Sequence, residues 1–242
     1  EMLSEETQIF TPYGATESLP VASIGSHQLL DPELRALTET GHGVCVGRPV
    51  DIIEARIIRI DDGPIETWAE VEEVAVGQVG EICVKGPQVT RSYFAREEST
   101  ALAKIVDGED FWHRMGDLGF FDESGALWFC GRKSHRLELE AGPMFTVPCE
   151  LVFNTHADVY RSALIGFDKD GKTHPVIVVE TEELMDSADQ KRLETELLEL
   201  AKTRSHTEKI RNVLFHDDFP VDIRHNAKIN RPALQQWAQG LL

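Results

Sequence analysis

The chain has 242 residues, of which 41% are hydrophobic and 27% are charged, a composition typical of a globular protein with a buried core. Its formal net charge of −18 argues against a nucleic-acid groove or an anionic membrane surface as the main partner, because phosphate binding needs clustered Lys and Arg. The four cysteines lack CxxC spacing, which favours neither a zinc cluster nor a disulfide framework and predicts a reducing, cytoplasmic compartment.

The sequence also lacks the signals of membrane insertion and secretion. No apolar run approaches the roughly 18 residues that a transmembrane helix needs, and no charged start precedes an apolar stretch. Because the chain begins at Glu1 without an initiator Met, we expect it to be a fragment whose N-terminal region is missing.

The first half of the chain predicts antiparallel β structure. Residues 52–60 form an apolar-heavy strand closed by the turn 61–64, and residues 80–84 form another strand that ends at Gly86-Pro87. Two strongly strand-forming runs, 120–121 and 127–129, flank a loop with glycine near its end, which predicts a hairpin.

After this hairpin the pattern changes to mixed strands and helices. Strands are predicted at 163–166, 176–180 and 213–215, and a helix begins near Ser187, where Ser187 and Gln190 have capping-box spacing. The apolar residues of that helix mark one buried face: Leu193, Leu197, Leu200 and Ala201. A polar loop from 217 to 228 and a final helix from Pro232, carrying Leu234, Trp237 and Leu241, complete an α+β unit of roughly 100 residues.

Four short segments carry residues suited to nucleotide chemistry. Tyr13-Gly14-Ala15-Thr16-Glu17 combines an aromatic face, a flexible glycine, a hydroxyl and a carboxylate, which could stack a base, approach a phosphate and hold Mg²⁺. Asp117 follows a glycine and could accept both hydroxyls of a ribose, and Arg132 offers a guanidinium for ribose or phosphate oxygens. Lys228 could bridge a carboxylate and a phosphate. Taken singly, each segment is explained at least as well as a loop, a turn or a solvated charge.

The nine histidines lack metal-ligand spacing such as HExxH, so we interpret them as structural or solvated. The absence of a GxSxG elbow argues against a serine hydrolase.

Together and in this order, these segments resemble the adenylate-forming superfamily of acyl-CoA synthetases, adenylation domains and luciferases. Further matches are Val46-Gly47-Arg48-Pro49, Gly80-Glu81-Ile82 with Lys85-Gly86, Ser92-Tyr93 and Pro220. The resemblance implies an α/β and α+β fold: residues 1–132 as the β-rich end of a large N-terminal AMP-binding domain, and 133–242 as a small, mobile C-terminal domain. The superfamily's phosphate-binding loop is not found in this chain.

The resemblance also implies roles for individual residues. Tyr13 would stack on adenine within the nucleotide-binding segment that includes Gly14 and Ala15, Thr16 would contact phosphate, and Glu17 would bind Mg²⁺. Asp117 and Arg132 would hold the ribose. Lys228 would be the adenylation lysine, brought to the site by rotation about a hinge near Ser134.

Three departures from the superfamily pattern concern the step after adenylation. Ser134 stands at the hinge position that is usually Asp or Lys, Glu138 stands where a lysine is expected, and Ala227 replaces the usual Gly. In 135–140 the leucines alternate inward, which leaves Glu138 and Glu140 on an outer face that could repel the polyanionic coenzyme A; an ordinary solvated strand face explains them equally well.

Residues 11–22 and 131–136 are most similar to the β-lactone synthetases of bacterial olefin biosynthesis. The implied function is activation of a long-chain 2-alkyl-3-hydroxy fatty acid with ATP and Mg²⁺ to acyl-AMP and pyrophosphate, followed by closure of a β-lactone. The implied partners are the missing N-terminal region and other enzymes of olefin biosynthesis. The alternatives are a long-chain fatty-acyl-CoA ligase that uses coenzyme A, and a fragment that binds AMP without turnover.

Overall fold

A computed structural model describes residues 4, 7–222 and 225–241. The chain divides into two compact units. The first comprises Glu1–Leu37 and Gly43–Ser134, and the second comprises Thr38–His42 and His135–Leu242, in each case within the described residues. The short segment Thr38–His42, which the sequence analysis assigned to the first domain, therefore clusters with the second unit.

The first unit is built on one sheet of eight strands, within the described residues. The strands are β1 Phe10–Ala15, β2 Ser18–Gly25, β3 Val44–Pro49, β4 Glu54–Ile58, β5 Gly80–Lys85, β6 Lys104–Asp107, β7 Asp110–Phe121 and β8 Leu127–Arg132. They run in the order β1-β2-β3-β8-β7-β5-β4, with β6 also paired to β7, and every pair is antiparallel. The helices are short: α1 Ser26–Leu29, α2 Pro32–Glu39 and α3 Glu97–Ala103.

The predicted strands of this half are present with adjusted ends. The strand expected at 52–60 is β4, which is shorter because residues 51–52 form a turn. The predicted hairpin is β7 and β8, and the side chain of Asp122 closes its loop by accepting hydrogen bonds from the backbone N–H groups of Ser124 and Ala126 at 2.8 and 3.0 Å. Strand β5 is buried along nearly its whole length, because apolar clusters cover both of its faces: Ile82 and Val84 pack in one cluster and Cys83 in another.

The second unit has a three-stranded sheet with helices on both faces. Its strands are β9 Leu137–Leu139, β10 Gly142–Met144, β11 Arg161–Lys169, β12 Lys172–Glu180, β13 Asn212–Phe215, β14 Val221–Asp222 and β15 His225–Ile229, and its helices are α4 Thr146–Phe153, α5 Ser187–Ala201 and α6 Arg231–Gln239. The central strand β12 pairs antiparallel with β11 and parallel with β13.

Alternation along β12 gives the second unit two apolar layers. Ile177 and Val179 pack with residues of α4 and α5, whereas Val176 and Val178 pack with Phe219 and residues of α6. A strand covered on both faces is expected to read as a continuous apolar run, as β12 does.

Two predictions for this half are wrong. The polar stretch 217–228 is not a loop, because β14 and β15 pair there as antiparallel strands; residues 223 and 224 lie outside the described residues. Helix α5 is capped by Asp186 and not by Ser187, since the Asp186 carboxylate accepts the N–H groups of Ala188 and Asp189, both at 2.9 Å, and satisfies two donors of the first turn.

The end of the final helix also differs from expectation. Leu234 is fully buried, Trp237 is half-buried against the same apolar layer, and Leu241 lies beyond the helix and is 61% exposed.

The predicted buried face of α5 is present except at one position. Leu193, Leu197 and Ala201 are buried, while Leu200 is only partly buried.

Candidate active site

Three of the predicted site residues meet in the first unit. Strand pairing places Asp117 on β7 opposite Arg132 on β8. The Tyr13 hydroxyl, on β1, donates a hydrogen bond to Asp117 Oδ2 at 2.7 Å, and Arg132 Nη1 lies 3.0 Å from Asp117 Oδ1. Tyr13 therefore shares with Arg132 a carboxylate that lies 104 positions away from it in the sequence.

The Asp117 carboxylate is buried, whereas its cationic partner is open to solvent. The Asp117 side chain is 6% exposed and the Arg132 side chain is 45% exposed. Burial raises the pKa of Asp117, and the Arg132 charge and the Tyr13 hydrogen bond oppose that rise. Among the described residues, Oδ1 receives no aligned hydrogen bond. Asp117 thus retains an acceptor beside a half-exposed guanidinium, a combination that suits a ligand hydroxyl.

Tyr13 is held from two sides. Its ring packs against Phe129, with the centroids 5.9 Å apart, while its hydroxyl bonds Asp117. Burial raises the pKa of Tyr13 well above its usual value, and the Asp117 charge adds to this effect, so the phenol remains a proton donor at neutral pH.

Glu17 and Tyr93 form a second cluster of polar side chains in the first unit. It lies in the turn between β1 and β2, and the Tyr93 hydroxyl donates to Glu17 Oε1 at 2.8 Å. Burial alone would raise the pKa of Glu17, but the Tyr93 hydrogen bond, a hydrogen bond from the backbone of Glu17 and the Lys104 charge lower it overall. Glu17 is therefore an ionised carboxylate at neutral pH. Because it lies in the turn between two strands, it does not cap a helix.

The neighbouring predicted residues are also located by this turn. Thr16 is exposed at its tip. A Cβ at Gly14 would come within 2.4 Å of the Ser18 carbonyl oxygen, so the glycine is required by the close approach of β2. Gly14 lies within an irregularity of the β1–β2 register, between Tyr13 and Ala15.

A buried charge network that sequence reasoning missed supports the pair of Asp117 and Arg132. Glu81 on β5 is 1% exposed, and its Oε2 accepts from Arg114 Nη2 at 2.6 Å and Nε at 3.1 Å, and from Lys133 Nζ at 3.0 Å. Arg114 lies three residues before Asp117, and Lys133 directly follows Arg132. One carboxylate thus links the two strand segments that carry Asp117 and Arg132. In the sequence, a charged residue inside the apolar run of β5 was the signal that could have predicted this network.

Lys228 lies in the second unit, on β15, with an exposed side chain. The structure therefore brings Tyr13, Asp117 and Arg132 together and places Glu17 with Tyr93, while Lys228 belongs to a separate compact unit. The side chain of Ala227 lies outside the described residues.

The two outward glutamates are exposed, as predicted, but each has a cation beside it. Glu138 forms an ion pair with Arg136, and Glu140 Oε1 lies 2.9 Å from Lys172 Nζ. Their negative charge is largely balanced locally, which weakens the argument that they repel coenzyme A.

One group of side chains outside these sites could bind a cation. His156, Asp158 and Glu196 bring ligand atoms together in the described part of the second unit. Arg192 pairs with Asp158 at 3.0 Å and with Glu196 at 2.9 Å, so a guanidinium already supplies the positive charge there. Within the described residues, no helix is both long and apolar enough to cross a membrane.

Known proteins resemble the chain in sequence and in fold. Residues 1–94 match the family model described as AMP-binding enzyme. The amide bond synthetase McbA from Marinactinospora thermotolerans has a similar structure, with a TM-score of 0.73 and 27% identity, over 94% of this chain and 42% of that one. The resemblance to the adenylate-forming superfamily and the mixed α/β and α+β fold are confirmed.

Within that superfamily, the resemblance to the olefin β-lactone synthetases is also confirmed. The chain is 47% identical over 98% of its length to the olefin β-lactone synthetase of Xanthomonas campestris pv. campestris. The long-chain-fatty-acid–CoA ligase of Salmonella typhimurium is more distant, at 31% identity over 64% of the chain. The chain spans 43% of the first relative and 23% of the second, so it corresponds to part of each enzyme.

Proposed function

We propose that this chain acts within an ATP-dependent enzyme that activates a long-chain 2-alkyl-3-hydroxy fatty acid and closes it to a β-lactone. The observation that carries the proposal is the 47% identity to an olefin β-lactone synthetase over nearly the whole chain, combined with the cluster of Tyr13, Asp117 and Arg132. Since the chain spans 43% of that relative, activity is proposed for a polypeptide of the relative's length that contains this chain, located in the cytoplasm with other olefin-biosynthesis enzymes.

The first step joins the fatty acid to AMP. A carboxylate oxygen attacks the α-phosphorus of ATP, the bond to the β-phosphate breaks, and pyrophosphate leaves. Tyr13 would hold adenine, and Asp117 would accept the ribose hydroxyls with Arg132 beside it. Thr16 would contact phosphate. Lys228 would offset the negative charge that develops around the α-phosphate, as positioned cations do in such sites.

The Glu17 carboxylate suits Mg²⁺, because it is a hard oxygen ligand that stays ionised at neutral pH, and Mg²⁺ is commonly held by one or two carboxylates together with substrate phosphates. Bound there, the ion would neutralise phosphate charge. Tyr93 holds the Glu17 carboxylate in place by its hydrogen bond.

The second step needs no external thiol. The substrate's 3-hydroxyl attacks the acyl carbonyl, a ring ester bond forms, the bond to AMP breaks, and the hydroxyl proton is released. An internal nucleophile avoids the entropic cost of binding a second reactant, and cleavage of the mixed anhydride offsets the strain of the four-membered ring. We propose that the small C-terminal domain expected from the sequence, residues 133–242, pivots near Ser134, so that Lys228 approaches only for the first step.

Substitution of Lys228 tests the assignment of the first step. In a polypeptide of full length, Lys228→Ala is expected to abolish pyrophosphate release from ATP and the fatty acid, because no other side chain is assigned to offset the charge that develops around the α-phosphate. Lys202→Ala, which removes an exposed lysine from the same unit, is the matched control and should keep the wild-type rate. Undiminished release by the Lys228 variant would disprove its assigned role.

A fatty-acyl-CoA ligase is the second candidate, favoured by the 31% identity to a long-chain-fatty-acid–CoA ligase. It shares the first step and differs in the nucleophile of the second. The third candidate, a module that only binds AMP, is separated by calorimetry: AMP binding without pyrophosphate release from the full-length polypeptide would support it. Absence of AMP binding by both the chain and the full-length polypeptide would contradict the roles given to Tyr13, Asp117 and Arg132.

A further inference from the structure

The second unit contains a buried ion pair that no step of the proposed reaction uses. Glu150, on α4, is 8% exposed. Its Oε1 lies 2.7 Å from Arg231 Nη1, and Arg231 Nη2 donates to its Oε2 at 2.9 Å. Arg231 is the first residue of α6, so the pair joins two helices that are 81 positions apart in the sequence.

Both partners of the pair also bond the same residue of the sheet. The Leu164 N–H donates to Glu150 Oε1 at 2.8 Å, and Arg231 Nη1 donates to the Leu164 carbonyl oxygen at 2.9 Å. Strand β11 therefore lies between α4 and the start of α6 in a closed set of hydrogen bonds. The position of Arg231 is fixed in direction as well as in distance, because a guanidinium binds a carboxylate as a planar fork.

Stability alone does not account for such a pair. Removing two charges from water costs several kcal/mol per ion, and apolar side chains of similar size often stabilise a fold equally well or better. Burial raises the pKa of Glu150, and the charge of Arg231 opposes the rise. What the pair supplies beyond packing is a defined geometry for the segment that carries Arg231.

That segment includes Lys228, three residues earlier. Between them, Ile229 pairs with Val221 and packs on the apolar layer of the second unit. The Asn230 N–H donates to the Pro220 carbonyl oxygen at 2.7 Å, and its side chain caps α6. These contacts anchor the backbone of Lys228 on its C-terminal side. Because the side chain of Lys228 is exposed, its ammonium can reach a ligand.

We propose that Glu150, acting through Arg231, is a positioning residue that fixes the backbone of Lys228 for acyl-adenylate formation. The proposal rests on the role of Lys228 given above. The geometry supports the positioning role because a lysine side chain has a flexible four-carbon stem and cannot itself define where its ammonium lies. A misplacement of about 1 Å can reduce a rate by roughly 100-fold.

The test measures the two half-reactions separately in the full-length polypeptide. Pyrophosphate release from ATP and the fatty acid reports the first, and lactone formation from a synthetic acyl adenylate reports the second. Glu150→Gln keeps the shape of the side chain and removes its charge. We expect kcat for pyrophosphate release to fall by about 100-fold with KM for ATP within roughly threefold of wild type, while lactone formation from the adenylate is retained.

Two further variants keep the proposal falsifiable. Arg231→Lys retains the charge and loses the fork, so it should fold and show the same selective loss in milder form. Leu193→Ala, a core truncation in the same unit, is the control for destabilisation and should lower both half-reactions alike.

Wild-type pyrophosphate release by Glu150→Gln and Arg231→Lys would overturn the proposal, as would an equal loss in both half-reactions. Lys228→Ala separates this failure from that of the proposed function. If Lys228→Ala abolishes release while the Glu150 and Arg231 variants do not, only the positioning role fails. If Lys228→Ala is active, both fail.

Discussion

The buried carboxylate of Glu81 provides the sharpest test of how the strands that carry Asp117 and Arg132 are held together. Glu81→Gln removes the negative charge that Arg114 and Lys133 share, at 2.6 and 3.0 Å, in a position that is 1% exposed. Arg114 keeps its bonds to the carbonyl oxygens of Gly63, Leu102 and Asp61, so part of the cation's solvation survives. Breaking a buried pair from one side typically costs about 3–5 kcal/mol, and we expect about 3 kcal/mol here.

Denaturant unfolding monitored by tryptophan fluorescence measures this cost, because Trp68, Trp112 and Trp128 all lie in the first unit. Glu54→Gln is the matched control: Glu54 is on the adjacent strand, its side chain is 60% exposed, and its ion pair with Arg56 is 4.0 Å long. An exposed pair contributes about 0–1 kcal/mol. A cost below about 1 kcal/mol for Glu81→Gln would refute the reasoning that one carboxylate secures both strands.

Three further results are expected. Tyr13→Phe removes the donor to Asp117 and should lower the free energy of unfolding by about 1 kcal/mol, seen in the same unfolding assay. Asp117→Asn should weaken AMP binding by roughly 10-fold to 100-fold in calorimetry, whereas Asp110→Asn, at an exposed site on the same strand, should not; equal affinities would contradict the ribose assignment. Burial, followed by the Lys104 charge, lowers the pKa of His113 to about 4, while the unfolded ring protonates near pH 6.5. Unfolding therefore takes up a proton between pH 6.5 and 4, and stability should fall by up to about 3 kcal/mol across that range. His113→Gln should remove this loss. An unchanged pH dependence in that variant would contradict the assignment of the loss to His113.

Sequence patterns predicted the elements that local chemistry determines. The β7–β8 hairpin follows from two aromatic runs around an Asp-initiated loop, and the buried face of α5 follows from leucines at helical spacing. Strand β12 was evident as an apolar run bounded by charges. These signals lie within a few residues of one another, so no knowledge of distant contacts is needed.

The errors arose where distant residues decide the outcome. The stretch 217–228 is polar, yet it forms paired strands because Ile229 is held in the apolar layer and pairs with Val221. The bond between Tyr93 and Glu17 spans 76 positions, and the Glu81 network spans 52, so neither leaves a local pattern. Asp186 was missed as a cap because Ser187 offered the better-known spacing.

The site shows the same division. Motif order singled out Tyr13, Asp117 and Arg132, and the structure brings the three together. The order of the motifs did not identify the carboxylate that holds their strands together. It also did not show that Glu138 and Glu140 have cationic neighbours. Charge balance depends on side chains from other strands, which a linear pattern does not contain.

The central claim concerns the product of the second step. Mass spectrometry of products from the full-length polypeptide, given ATP, Mg²⁺ and a 2-alkyl-3-hydroxy fatty acid with and without coenzyme A, tests it most directly. We expect a β-lactone and AMP in both reactions. A thioester formed only when coenzyme A is present, with no lactone in either reaction, would contradict it and identify an acyl-CoA ligase.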